Sequence, residues 1–426
     1  MQNIAIPAVL YDITGSLAIT GIATFLQLLP FALLGPVGGV LADRYSRRLI
    51  LIVSQSVAGV LALALYVAWV ANVRSPALLI ALASMTGAVA GLMLPSWQAF
   101  VTQLVPREQL SEAISLNALQ FNLSRAFGPV LAAVMLHSGA QWAFLSNAVS
   151  FIAVVVGLLF ISADEGYRKH DRLGLFAHIA RGVRTVHQST TLTMATALVF
   201  SLAFFGMPVI SLMAGFSKDV FHYKSADSGY LTGALGMGAI AGVVALGVLK
   251  RRWQRSRITL TGFVVYGAGL FVFTLLHTFI AAIPVLFISG AGFLMVVVSL
   301  QTAVQLSVTD QVRGSVLALY FMAFGVGLPL GAALQGAASD YVSVRITVGI
   351  AAVSLLGVAA LMQTRFHGAN ALNNETPEET PEETPNATPN ATPEETPEET
   401  PEDALVSAAN APTATSRTTP TSAEPI

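Results

Sequence analysis

The chain has 426 residues, 54% of them apolar and only 11% charged, with a mean hydropathy of +0.69. Soluble domains carry about a quarter charged residues, so the composition excludes an ordinary soluble domain and indicates a membrane class. The net charge of −1 is a cancellation: counting gives 21 Lys+Arg against 11 Asp+Glu in residues 1–369, and 1 against 12 in residues 370–426. With no cysteine, disulfides, thiol catalysis, iron–sulfur clusters and Cys-based zinc sites fall away together.

Residues 1–10 are apolar but about half as long as a membrane span, and the following Tyr-Asp-Ile-Thr-Gly-Ser reads as the loop after a membrane helix. Eleven apolar runs near the length that a ~30 Å hydrocarbon core requires of a helix come next. They cover 17–41, 49–71, 76–94, 115–136, 142–162, 192–214, 228–249, 258–276, 280–300, 316–338 and 346–362. An all-α membrane protein with eleven full spans and one short first helix is therefore expected. Between the fifth and sixth runs, 165–190 is expected to be a central cytoplasmic loop. Its basic amphipathic part is expected to lie on the membrane surface.

Loop charges orient the chain. With 43–48 placed inside, one side of the membrane receives 16 positive residues and the other receives Arg74, Lys218, Lys224 and Arg345, which is 4. That asymmetry puts the arginine-rich loops in the cytoplasm. Beyond residue 366 proline recurs at every fourth position from Pro377 to Pro401 among Glu, Thr and Asn. Such a segment cannot bury a core, and it reads as a disordered acidic tail on the cytoplasmic side. The Asn-x-Thr triplets at Asn374, Asn386 and Asn390 are then not expected to be glycosylated.

Two offsets suggest an internal duplication. Shifting by 208 lays Gly39-Val40-Leu41 on Gly247-Val248-Leu249, with Arg44 on Arg252 and Arg47 on Arg255. A shift of 203 pairs Val105 with Val308, Leu116 with Leu319 and Gly128 with Gly331. Duplicated membrane halves are a mark of secondary transporters. The expected domains are an N-terminal bundle over 1–164, the loop over 165–190, a C-terminal bundle over 191–366 and the tail over 367–426.

The sharpest motif is Gly39-Val-Leu-Ala-Asp43-Arg44-Tyr-Ser-Arg47-Arg48. It resembles the signature loop of the major facilitator superfamily, with Ser46 where the family has glycine, a mild loss of turn freedom. Gly39 is expected to allow close helix approach, Asp43 to satisfy a helix N-terminus or pair with arginine, and Arg47 and Arg48 to anchor the inner face. The resemblance implies that Gly39, Asp43, Arg44, Arg47 and Arg48 form a latch holding the two halves in one conformation. Next comes Asn122-Leu-Ser-Arg125-Ala-Phe-Gly128-Pro129, about ten residues into its span. Asn122, Arg125 and Pro129 share a helix face. A mid-membrane arginine is expected to face the bundle interior or water, since lipid exposure is costly. Two readings of Arg125 stand, a structural anchor between helices or a binding group for an anionic substrate. The run from Ser124 to Ala133 resembles the fifth-helix motif of facilitator-type exporters. Leu94–Phe100, 104–117, Val308–Tyr320 and Leu328–Gly336 are similar to the branch of enterobactin exporters and macrolide-efflux-like proteins.

Gly-x-x-x-Gly pairs at Gly35/Gly39, Gly87/Gly91, Gly238/Gly242 and Gly327/Gly331 are expected to permit close helix packing. Gln27, Gln55, Asn147, Gln301 and Gln305 lie within spans, as a polar substrate path or as interhelical hydrogen bonds. Trp97 and Tyr266 read as ligand-stacking rings or interface anchors. No phosphate loop, Gly-x-Ser-x-Gly or His-Glu-x-x-His occurs, so the chain reads as no enzyme, with no cofactor and no metal. Every acidic residue of the core falls in or beside a loop, so no proton-coupling carboxylate stands out. The resemblance implies a full first helix; here Met1 falls inside it, about 20 residues short.

These readings together imply a twelve-helix facilitator fold in two pseudo-symmetric six-helix bundles, the first helix truncated. The expected function is export of small amphipathic molecules, drug-like or siderophore-like, by alternating access with proton antiport. Its partners would be the substrate, protons and the lipid bilayer, with no nucleic acid, in a monomer of the bacterial plasma (inner) membrane. The alternatives are an uptake symporter and a truncated, non-transporting membrane protein.

Overall fold

A computed structural model describes residues 1–101, 103–161, 183–365 and 372. Among them twelve helices carry the fold: α1 (Gln2–Thr14), α2 (Leu17–Arg44), α3 (Arg47–Val70), α4 (Pro76–Val101), α5 (Leu110–Ser138), α6 (Ala140–Phe160), α7 (Thr190–Val220), α8 (Ser228–Leu249), α9 (Arg255–Leu275), α10 (Phe279–Leu306), α11 (Asp310–Tyr341) and α12 (Val344–Arg365). All but α1 are long and apolar enough to cross a membrane, and no strand occurs among the described residues. The eleven expected spans are all present. Several continue beyond the apolar run, as α11 does at both ends, because a helix keeps its backbone bonds after the hydrocarbon stops. The central loop lies outside the described residues as far as 182, and so does the tail apart from Leu372.

Local sequence sets the helix boundaries. Ser16, Ser46 and Ser189 stand before α2, α3 and α7, and each hydroxyl accepts from the N–H three residues on, at 3.2, 3.1 and 3.4 Å. Each such cap contributes about 1 kcal/mol. Ser46 therefore costs nothing where glycine was expected: its φ is −56° and its hydroxyl opens the next helix. Gly15 closes α1 with φ 64°, a left-handed position where a Cβ would be strained.

The span α7 departs from a plain helix. Pro208 offers no N–H, and the preceding Leu202–Gly206 winds as a π turn, with Met207 N reaching back five residues to Leu202 O at 3.3 Å. Neighbouring side chains satisfy the carbonyls this frees. Tyr266 donates its hydroxyl to Gly206 O at 2.9 Å, and Gln335 donates to Phe204 O at 2.7 Å. Tyr266 is thus a fully buried brace between α9 and α7, neither a ligand platform nor an interface anchor.

The two halves repeat one another. In the first, α2 packs on α4 and α3 on α6; in the second, α8 packs on α10 and α9 on α12. The sequence offset of 208 carries α2 onto residues 225–252, which contain α8, and 203 carries α5 onto 313–341 within α11. Glycines make the paired contacts. Gly87 and Gly91 lie on the carbonyls of Gln27 and Phe31, while Gly238 and Gly242 lie on those of Phe287 and Ala291. A Cβ on Gly238 would fall 1.7 Å from Phe287 O, so only hydrogen fits. Gly327 and Gly331 pack on α7 in the same way. The fourth pair differs: Gly35 and Gly39 meet nothing within 4 Å, and the close approach expected of Gly39 is made by Gly38 against Leu92 of α4.

Candidate functional site

At the end carrying the arginine-rich loops, the signature motif straddles the α2–α3 turn. Arg47 donates to Ala99 O of α4 at 3.3 Å. Arg48 donates to Leu158 O and Leu159 O at 2.9 and 2.8 Å, occupying carbonyls at the end of α6 that would otherwise lack partners. Through these bonds both arginines tie together helices of the first half. Asp43 and Arg44 are exposed, and neither side chain has a hydrogen bond or ion pair among the described residues. The expected capping of α3 by Asp43 does not occur, because Ser46 performs it.

The halves meet through α2 on α11 and α5 on α8. Antiparallel register is set by Gly21, whose Cβ would lie 2.2 Å from Ala332 O, by Gly336 against Leu17 O, and by Ala32 at 3.4 Å from the Cβ position of Gly325. Eleven residues beyond Ala32 toward the basic end, about 16 Å at 1.5 Å per residue, the Ala32–Gly325 contact sets Asp43 level with Gly314, beside Arg313, and the Gly21–Ala332 contact sets it level with Asp310. Gly314 meets nothing within 4 Å.

The opposite end is closed. Four carboxylates bridge the halves, each bonded across the divide. Asp12 of α1 accepts from Lys218 at 3.3 Å and from Ser225 at 2.7 Å. Asp219 at the end of α7 accepts from the Tyr11 hydroxyl. Asp227, just before α8, pairs with His137 Nε2 at 2.8 Å. Asp340 of α11 accepts from the Ser16 hydroxyl at 2.5 Å and from Leu17 N and Ala18 N at 2.7 and 3.2 Å, so it caps α2 from the other half. Tight glycines continue the contact inward: Gly229 against Pro129 O, Gly233 against Val130 and Gly236 against Arg125 O. A hydrogen bond to a charged group contributes roughly 1.5–3 kcal/mol, less where water competes, as at the exposed Asp12–Lys218 pair.

Sequence reading missed these carboxylates because each falls in or beside a loop. Folding gathers them at one level. The available signal was that all four sit at the charge-poor ends of their spans.

Midway along α5, Arg125 extends toward α10. Its Cζ lies 6.0 Å from the ring centre of Phe121 and 5.8 Å from that of Phe293. Asn122 turns back on its own helix, donating to Ala118 O at 2.8 Å. Gly128 faces the start of α1, with Met1 N at 3.9 Å from its Cβ position, and Pro129 packs on α8. The motif thus divides between two neighbours. An arginine at the centre of a membrane helix costs at least ~2.5–3.5 kcal/mol, and two aromatic faces offset about 0.5–2 kcal/mol each.

Of the expected polar path, Gln27 and Asn147 gather at the start of α1, where Gln27 donates to Asn3 at 3.0 Å and Asn147 to Gln2 at 2.8 Å. Gln2 and Asn3 were not singled out in the sequence. Gln55 is buried in α3, away from that cluster, and Gln301 and Gln305 lie toward the basic end of α10. The structure does not bring all five together.

Residues 1–389 match the family described as transmembrane secretion effector, one of the major facilitator transporters. The chain is a major facilitator secretion effector. This effector is 26% identical to the staphyloferrin A transporter of Staphylococcus aureus, over 79% of its own length and 84% of the relative. It is also 26% identical to the enterobactin exporter of Citrobacter koseri, over 75% of each chain. Its fold matches the crystal structure of a bacterial homologue of the human lysosomal transporter Spinster with a TM-score of 0.68, at 15% identity, over 87% of this chain and 95% of that one. The secretion effector is therefore a multi-pass membrane transporter, not an enzyme, and it resembles the siderophore-exporter branch.

Proposed function

We propose that this secretion effector exports small amphipathic, siderophore-like molecules by alternating access, in exchange for protons, as a monomer in the bacterial plasma membrane with its tail in the cytoplasm. The observation that carries the reading is the asymmetry between the two ends. The halves are bridged by four carboxylates at the charge-poor end, while at the basic end the Asp43 side chain has no partner among the described residues and Gly314 meets nothing within 4 Å. Basic loops mark the cytoplasmic side, so this is the inward-open state, which admits a solute from the cytoplasm.

Export requires the outer bridges to break. Breaking the bridges at Asp12, Asp219, Asp227 and Asp340 frees the outer ends to separate, and so favours the outward-open state. In the outward-open state the inner ends close, and the helix register brings Asp43 to Arg313 as the latch. Arg44, Arg47 and Arg48 support the latch from the first half, and Gly39 packs only in that state. The likeness to transporters named for staphyloferrin A and enterobactin supports the substrate class. The proposed boundaries are 1–164, 165–190, 191–366 and 367–426.

Expression in an efflux-deficient bacterium, with accumulation measured over a panel of amphipathic compounds, tests the direction. Lower accumulation of some members supports export. Unchanged accumulation throughout contradicts it, and greater accumulation indicates uptake.

A further inference from the structure

Among the described residues, Arg125 has no hydrogen bond or ion pair to a carboxylate. It lies 15 residues after Leu110 and 13 before Ser138 in α5, so about 20 Å separates it from either end of the helix. All acidic residues among 1–369 lie in or beside loops. Those at the outer seal, Asp12, Asp219, Asp227 and Asp340, are already bonded across the halves. Among the described residues no carboxylate pairs with Arg125.

A structural arginine uses its five N–H donors on carbonyls or carboxylates, as Arg48 does on Leu158 and Leu159. Arg125 makes no hydrogen bond among the described residues. Among the described residues its guanidinium lies over the faces of Phe121 and Phe293, and the nearby Tyr266 hydroxyl is committed to Gly206. The backbone here is fixed, since Arg125 O lies 2.8 Å from the Cβ position of Gly236. The guanidinium is thus held at the junction of the two halves with its donors unspent.

We propose that Arg125 is the anion subsite of the transport path, and that the substrates are amphipathic anions whose carboxylate or sulfonate docks on its guanidinium. Phe121, one helical turn toward the open end and 60% exposed, lies on the same face. It offers its ring to the apolar body of the same molecule. Phe293 lies on the second half, so a bound anion touches both halves and its release is sensitive to their movement. A planar fork of donors suits an oxyanion better than a neutral or cationic head. The inference gives the proposed exporter its substrate class, but binding can be read without transport.

The test uses the full chain purified in detergent and three probes on one scaffold: 1-naphthoate, neutral 1-naphthamide and cationic 1-naphthylmethylammonium. Isothermal calorimetry on the wild type is expected to give naphthoate at least tenfold tighter binding than either of the others. Arg125→Gln is expected to bring the three within about twofold while leaving the ligand-free melting temperature near that of the wild type. A folded R125Q protein that keeps the naphthoate preference overturns the subsite, as does a wild type that binds all three alike. Where R125Q does not stay folded, Arg125→Lys decides: retained preference for naphthoate supports the subsite, and its loss overturns it. Phe121→Ala is expected to weaken all three probes equally. Normal naphthoate selectivity in a chain that moves no compound would refute the exporter reading and leave the subsite standing.

Discussion

Neutralising Asp340 should open the outer seal. Its carboxylate accepts from the Ser16 hydroxyl and from the N–H groups of Leu17 and Ala18 in the opposite half, where the positive end of the α2 dipole adds ~0.3–1 kcal/mol. A charge-assisted bond is worth about 1.5–3 kcal/mol when buried, but Asp340 is exposed and Asp340→Asn keeps one acceptor oxygen. A net loss near 1.5 kcal/mol remains, roughly a tenfold shift from sealed toward open. The chain has no cysteine, so a single Thr20→Cys at a fully buried position of α2 gives a unique reporter. An impermeant maleimide added outside should label T20C/D340N about ten times faster than T20C. Labelling of T20C/D340N within twofold of T20C would refute the assignment of Asp340 to the seal.

Other expectations concern the inner face and the helix contacts. Asp43→Arg should abolish transport without unfolding the protein, and the exchange D43R/R313D should restore part of it in a flux assay; no recovery removes Arg313 as the latch partner. Arg48→Ala strips two carbonyls at the end of α6 of their donor, so its melting temperature should fall by an amount matching ~1–3 kcal/mol, with Arg48→Lys in between. Gly21→Ala places a methyl 2.2 Å from Ala332 O and should raise T20C labelling as D340N does. Gly39→Ala meets nothing within 4 Å, so it should leave melting unchanged and slow transport, by obstructing closure of the inner end.

The spans were legible because a membrane helix must satisfy its backbone within one apolar run, and the offsets of 208 and 203 already described the two-fold relation. Turn chemistry was less so. Ser46 looked like a deficit only while the loop was taken to need glycine, and Gly39 was credited with a contact that its neighbour Gly38 makes, because one residue rotates a helix face by about 100°. The π turn before Pro208 leaves no period in the sequence, since its support comes from Tyr266 and Gln335 on other helices. The seal was hidden for the same reason. Asp12, Asp219, Asp227 and Asp340 are separated by up to 328 residues (340 − 12) and become one device only when four loops converge. Arg125 was visible as a costly residue; that its donors find no partner is a fact of three dimensions.

Proton-coupled export is tested most directly in everted membrane vesicles from an efflux-deficient strain, with the lumen made acidic. Uphill accumulation of at least one amphipathic anion in the lumen is expected, collapsing with a protonophore and lost in Arg125→Gln. No pH-driven accumulation across the panel, or movement of the anion out of the acidic lumen, would contradict it.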